Sequence, residues 1–214
     1  MRVYVGQTRS REFIQWLEEE GIGEAVQRNE FPPRRLPFFL DNGAFGDWRK
    51  GQPFNLREFQ NAVGQAAYAA VYLGYEPDFI VVPDKVAAGL ESLDTSLMLT
   101  PWLEDLIPGV PIYLVVQDGM TEDDLLPHLS HFGGLFVGGS LPWKLQTAER
   151  WCEFAHENGL ACHIGRVGTV ARVRWAERIG ADSIDSSEPL WSRAKLAQFL
   201  AVLSEAQQQK EFGF

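Results

Sequence analysis

Six stretches of the chain place polar residues directly after a short apolar run: Asp41-Asn42-Gly43-Ala44-Phe45, Asp84-Lys85, Gln117-Asp118-Gly119, Gly138-Gly139-Ser140, His163 with Gly165-Arg166, and Asp182 through Ser187. Carboxylates in such places can do two kinds of work at a glycosidic carbon. One attacks the sugar as a nucleophile, and the other carries a proton to or from the departing group. Asp185 is the sharpest candidate for the first role. In Ala181-Asp182-Ser183-Ile184-Asp185 the side chains alternate, so Asp185 faces one side of a strand while Ile184 packs on the other. Asp41, followed by a glycine that permits a tight turn, is the candidate acid/base.

A planar base needs a flat surface to stack on and a few polar atoms at its edge. Phe45 offers the surface, Asp84 can accept from ring or exocyclic N–H, and Gln117 can reach a carbonyl. The peptide N–H groups of Gly138 and Gly139 can do the same, because glycine lets backbone approach a ligand closely. Each residue has a plainer alternative. An aspartate at a strand end commonly closes an Asx-turn or caps a helix, and a phenylalanine is usually core.

The elements that must position these residues follow from hydrophobic spacing. Apolar runs at Val3–Gly6, Phe38–Asp41, Phe79–Pro83, Ile112–Gln117, Leu135–Gly138, Ala161–Gly165 and Ser183–Asp185 predict strands. Between several of them, apolar residues recur at helical spacing: Phe13, Trp16 and Leu17; Phe59, Val63 and Ala66; Ala148, Trp151 and Cys152; Val173 and Ala176; Phe199 and Leu203. Alternating strands and helices predict a parallel sheet, with the polar loops gathered at its C-terminal face. The expected fold class is α/β, a compact TIM-type (β/α) barrel, with residues 1–214 forming one domain. Only about seven strands are legible where closure needs eight, so either the barrel is incomplete or a strand hides near Asn29–Pro37. A doubly wound sheet is the rival, but Gly6-Gln7-Thr8-Arg9-Ser10 is no phosphate-binding glycine fingerprint.

A formal charge of -10 argues against a broad grip on phosphates, although a local basic patch formed by Arg166 and Arg193 could flank the pocket, with Trp48 or Trp191 facing a neighbouring base. Two cysteines, Cys152 and Cys162, are too few for a disulfide framework and lack zinc-ligand spacing, so they read as buried thiols. The Gln-rich end, Glu205–Phe214, reads as frayed or used in packing. No run approaches membrane-span length, which gives the expectation of a soluble, cytoplasmic protein. Seven tryptophans fit either a core or a homodimer contact.

Taken in order, these motifs resemble the tRNA-guanine transglycosylase superfamily. The likeness is nearest to its small phage-type relatives grouped with 7-deazaguanine DNA-modification transglycosylases. DNGAF at 41–45 is similar to the family's DSGG-aromatic motif, VPD at 82–84 to its base-reading aspartate, and VVQDG at 115–119 to its glutamine segment. FVGGS at 136–140 is similar to its glycine pair, HIGRVGT at 163–169 to the strand opposite the aromatic, and GADSIDSS at 180–187 to its GIDxFD motif. The resemblance spans Phe38 to Ser187. It implies a TIM barrel, Asp185 as nucleophile, Asp41 as acid/base, and a base held between Phe45 and the His163–Gly165 strand. It further implies exchange of guanine for a 7-deazaguanine-type base in nucleic acid, with no cofactor. The family's Cys-rich zinc module is missing, which favours DNA over tRNA as the polymer. Two rival functions remain at this stage: an N-glycosidase acting on nucleosides or nucleotides, and a non-catalytic base- or nucleic-acid-binding accessory protein.

Overall fold

The computed structural model describes residues 1–30 and 36–212, with side chains described as far as residue 203. Eight parallel strands close on themselves in chain order. They are β1 (Arg2–Gly6), β2 (Gly23–Gln27), β3 (Phe38–Asp41), β4 (Phe79–Val81), β5 (Ile112–Val116), β6 (Gly134–Val137), β7 (Ala161–Ile164) and β8 (Ser183–Ser186). The eighth strand is therefore β2, just before the segment where it was expected, and residues 31–35 of that segment lie outside the described residues. Register closes the ring through Tyr4 opposite Asp185 on one side of β1 and Tyr4 opposite Gly23 on the other.

Period-two alternation sorts each strand into an inward and an outward set. Val3, Phe38, Leu40, Ile80, Leu114, Val137, Ile164 and Ile184 join one large core with the helices. Tyr4, Phe39, Phe79, Val81, Tyr113 and Val115 form a second cluster, the barrel interior, with Phe136 against it. The interior is aromatic. Phe79 stacks on Tyr113 at 3.9 Å and on Phe39 at 4.6 Å, and Phe136 stacks on His163 at 4.6 Å. Two glycines make room for these rings, since a Cβ on Gly23 would lie 2.5 Å from Tyr4 and one on Gly134 would lie 2.5 Å from Tyr113.

The helices are α1 (Arg11–Glu19), α2 (Ala44–Arg49), α3 (Leu56–Leu73), α4 (Leu90–Leu106), α5 (Glu122–Leu125), α6 (Leu141–Glu157), α7 (Val170–Arg178) and α8 (Arg193–Phe212). The last runs through the Gln-rich stretch to Phe212, where fraying was one expectation. Ser10, Asn55, Ser140 and Thr169 cap α1, α3, α6 and α7, so their side chains satisfy helix N–H groups where loops from the strands arrive. Cys152 and Cys162 are free, buried thiols with sulfurs 3.1 Å apart between α6 and β7. Among the described residues no helix is long and apolar enough to cross a membrane.

Candidate active site

Above the aromatic layer the inward positions turn acidic. Asp41 ends β3 in the alternation set by Phe39, and Asp185 lies in β8 while Ile184, its neighbour, is fully buried in the outer core. Asp84 follows β4. The fields of Asp185 and Asp84 both reach Asp41, so strands far apart in sequence bring these carboxylates to one end of the barrel.

Asp185 is held from two sides. Its Oδ1 meets Nε2 of His163 at 3.1 Å and accepts the backbone N–H of Arg166 at 3.0 Å. Neither contact uses Oδ2. His163 is fully buried, which pulls its pKa below the ordinary value and keeps the ring neutral at neutral pH. A neutral ring satisfies both neighbours when Nε2–H donates to Asp185 and Nδ1 accepts from the Ser183 hydroxyl, 2.8 Å away.

Asp41 partly follows the plainer reading of a strand-end aspartate, because Oδ1 accepts the Gly43 N–H at 2.8 Å in an Asx-turn. Gly43 has φ 75°, and a Cβ there would lie 2.5 Å from Arg28 Nη1. Burial, together with the charges of Asp185 and Asp84, raises the Asp41 carboxyl from its ordinary 3.8 to about 6. Asp84 is raised to about 6 as well, by burial, against the lowering effect of a hydrogen bond from Asn42 Nδ2 at 2.9 Å. Two acids that titrate near neutrality can each hold or release a proton at working pH.

Arg166 lies within electrostatic reach of all three acids. Its backbone is left-handed, with φ 59°, a conformation uncommon outside glycine. The guanidinium lies 3.8 Å over the Phe45 ring and donates from Nη2 to the Gly139 carbonyl at 2.9 Å. Asp185, Asp41 and Asp84 all act on its charge, offsetting the lowering that burial imposes. Phe45 also stacks on Trp48, with ring centroids 5.7 Å apart. Gly165 allows β7 to pass close by, since a Cβ there would meet Phe136 at 2.6 Å and Asp185 Oδ1 at 3.5 Å.

The sequence-derived set thus divides. Asp41, Asp84, Asp185, Phe45, Gly139, Gly165 and Arg166 are joined by the contacts and fields just described. Gln117 is placed behind Asp84. Only 2% exposed, it accepts from Ala87 N at 2.6 Å and donates to Ser92 Oγ at 2.6 Å and the Lys85 carbonyl at 3.1 Å. Its amide therefore holds the loop after β4, and the expected direct contact with a base edge is not available in this arrangement. The N–H of Gly138 is likewise spent on the Val116 carbonyl at 2.9 Å, leaving Gly139 as the member of the pair next to Arg166. His163 supports Asp185 from within the barrel and presents no wall to the mouth. The Arg193 side chain is 77% exposed and lies 4.6 Å from Trp16 and 4.0 Å from Glu12, both on α1.

Three further residues carry the site without having been singled out. Asn42 is buried, donating to the Val82 carbonyl at 2.8 Å and to Asp84, and accepting from Ala44 N at 2.7 Å. Arg28 braces the same turn through the Asn42 carbonyl at 2.7 Å, Asp47 at 2.5 Å and Glu58 at 3.1 Å. Lys144, on the first turn of α6, is 3% exposed and donates to the Gly165 carbonyl. An asparagine beside the candidate acid/base Asp41 is visible in DNGAF, but nothing in the sequence marks Arg28 or Lys144 as buried. No family model and no curated protein matches the chain.

Proposed function

We propose that the protein is a base-exchanging transglycosylase. It replaces guanine with a 7-deazaguanine-type base in nucleic acid, DNA in preference to tRNA, through a glycosyl ester on Asp185. The observation that carries the reading is the meeting of Asp41, Asp84 and Asp185 around the flat Arg166–Phe45 pair at the C-terminal end of the strands. The ordered motif resemblance supports the same assignment. The lack of a zinc module in that resemblance favours DNA.

In the first step Oδ2 of Asp185 attacks C1′ and the C1′–N9 bond breaks. The electron pair stays on the base, which takes up a proton from the Asp41 carboxyl. In the second step Asp41 accepts the proton of the incoming base, whose nitrogen attacks C1′. The ester bond then breaks and Asp185 is restored as a carboxylate. An acid with a pKa of about 6 suits both directions of that proton transfer near neutral pH. The contacts from His163 and Arg166 to Oδ1 fix the carboxylate plane and leave the second oxygen for attack. Asp84, oriented by Asn42, reads the amide and amino hydrogens of a guanine edge, and Phe45 serves as the stacking face, a reading supported by the Asn42 hydrogen bond and the flat Arg166–Phe45 contact. Arg166 has to leave Phe45 for a base to stack there, and its freed charge then meets the polymer phosphate.

The test is incubation with labelled guanine and, separately, duplex DNA, single-stranded DNA, tRNA and free nucleosides. Exchange predicts label in polymer, with DNA the best acceptor, and loss of incorporation in Asp185→Asn. Release of guanine with no incorporation would make the protein a hydrolase. The absence of both reactions would leave a base-binding protein without turnover.

A further inference from the structure

Lys144 is a cation in a place that disfavours charge. It sits near the N-terminus of α6, where the helix end is itself positive, and it is almost fully buried. Among the described residues its ammonium makes one hydrogen bond, to the carbonyl of Gly165. The amide nitrogen of that same peptide bond belongs to Arg166, and its N–H is the donor that holds Asp185 Oδ1 at 3.0 Å. One peptide plane therefore joins the ammonium to the carboxylate. A cation on the carbonyl oxygen polarises the amide and strengthens its N–H as a donor. The same contact opposes rotation of the plane, which matters because Arg166 is held in the left-handed region without a glycine's freedom.

We propose that Lys144 is a positioning residue of the site: through the Gly165–Arg166 peptide it fixes the Asp185 carboxylate and, until a base takes its place, holds the Arg166 guanidinium over Phe45. A neutral Lys144 loosens the plane, and both Asp185 and Arg166 gain freedom. The groups that face its charge come from three directions. Arg166 and Arg172 oppose protonation from the β7–α7 side, Asp185 favours it from β8, and Asp118 favours it from the loop after β5. His163, which also feels Lys144, is neutral above its lowered pKa. Burial dominates and brings the Lys144 ammonium down to about 8.

The arrangement can be read without substrate, so its outcome is independent of whether the protein exchanges bases. In the protein labelled with nitrogen-15, the Arg166 amide resonance should shift between about pH 7 and 9.5 with a midpoint near pH 8, above the range in which Asp41 and Asp84 titrate, and the Arg166 side-chain protons should lose their ring-current shift from Phe45 over the same range. Lys144→Arg keeps a charge at all these pH values and should hold both signals at their low-pH positions. Lys144→Met should hold them near the high-pH positions. A wild-type Arg166 amide that stays flat between about pH 7 and 9.5 would overturn the proposal, as would a Lys144→Met protein that still titrates like wild type. If Lys144→Met does not fold, the wild-type titration and its loss in Lys144→Arg decide the matter.

Discussion

Asp41→Asn should make the protein more stable at neutral pH, and the gain should vanish in acid. A carboxyl standing at about 6 in the fold against an ordinary 3.8 is one whose ionised form the folded state resists. Because the folded value is the higher one, the cost is absent below the unfolded pKa. It grows as pH rises from about 4 to 6 and is present in full above that. The gap corresponds to an upper bound of about 3 kcal/mol, and solvent at the barrel mouth reduces it to about 1 to 2 kcal/mol. The asparagine keeps the Asx-turn, since its carbonyl oxygen still accepts the Gly43 N–H, and its amide adds no charge beside Asp185 and Asp84. For a chain of this size the expected rise in Tm is about 2 to 8 °C at pH 7.5. Thermal melts followed by circular dichroism at pH 4 and pH 7.5 measure it directly. A variant that melts lower than wild type at pH 7.5, or whose gain is the same at both pH values, would refute the premise that Asp41 is charged at a cost.

Other perturbations separate the parts of the site. Asn42→Ala removes three buried hydrogen bonds and frees Asp84, so denaturant titration should show a loss of about 2 to 4 kcal/mol. Gly165→Ala drives a methyl toward Phe136 and Asp185, and should cost about 1 to 3 kcal/mol while impairing turnover more than base binding. Gly134→Ala makes a comparable clash with Tyr113, deeper in the barrel, and serves as the comparison: it should lower Tm with turnover by the remaining folded protein kept. On the proposed function, Asp84→Ala should relax the choice between guanine and other purines in competition assays by about tenfold or more, because the proposed base-reading carboxylate is lost while Asp185 remains.

Much of this architecture is legible in the residues themselves, and the places where it is not have physical causes. Ser183–Asp185 alternates, so the inward direction of Asp185 follows from Ile184 beside it, whereas Phe38, Phe39 and Leu40 are all apolar and mark Asp41 only as the polar end of a strand. Gly23–Gln27 escapes because its only apolar side chains are Ala25 and Val26, and Glu24 is buried against the usual expectation for a carboxylate. The helix α4 inverts the pattern that reveals the others. Ser92, Ser96 and Thr100 are buried beside Leu93 and Leu103, while Leu90 and Met98 are exposed, because the hydroxyls bond to Gln117 and to the Pro83 and Ser96 carbonyls. At the site, the identities of the acids were readable, but which neighbours their partners prefer was not. Gln117, the Gly138 N–H and His163 look like ligand contacts in sequence and are drawn inward by the unpaired groups of the loops and by Asp185. Arg28 and Lys144 look like surface charges because nothing local distinguishes a buried cation from a solvated one.

The central claim is that the Asp185 carboxylate becomes covalently bonded to C1′ of the substrate sugar. Acid quench of the enzyme with guanine-containing DNA, followed by proteolysis and mass spectrometry, reads that bond directly. The account predicts an abasic-sugar adduct on the peptide carrying Asp185, which disappears in Asp185→Asn. An adduct on any other residue, or base exchange that proceeds unchanged in Asp185→Asn, would contradict it.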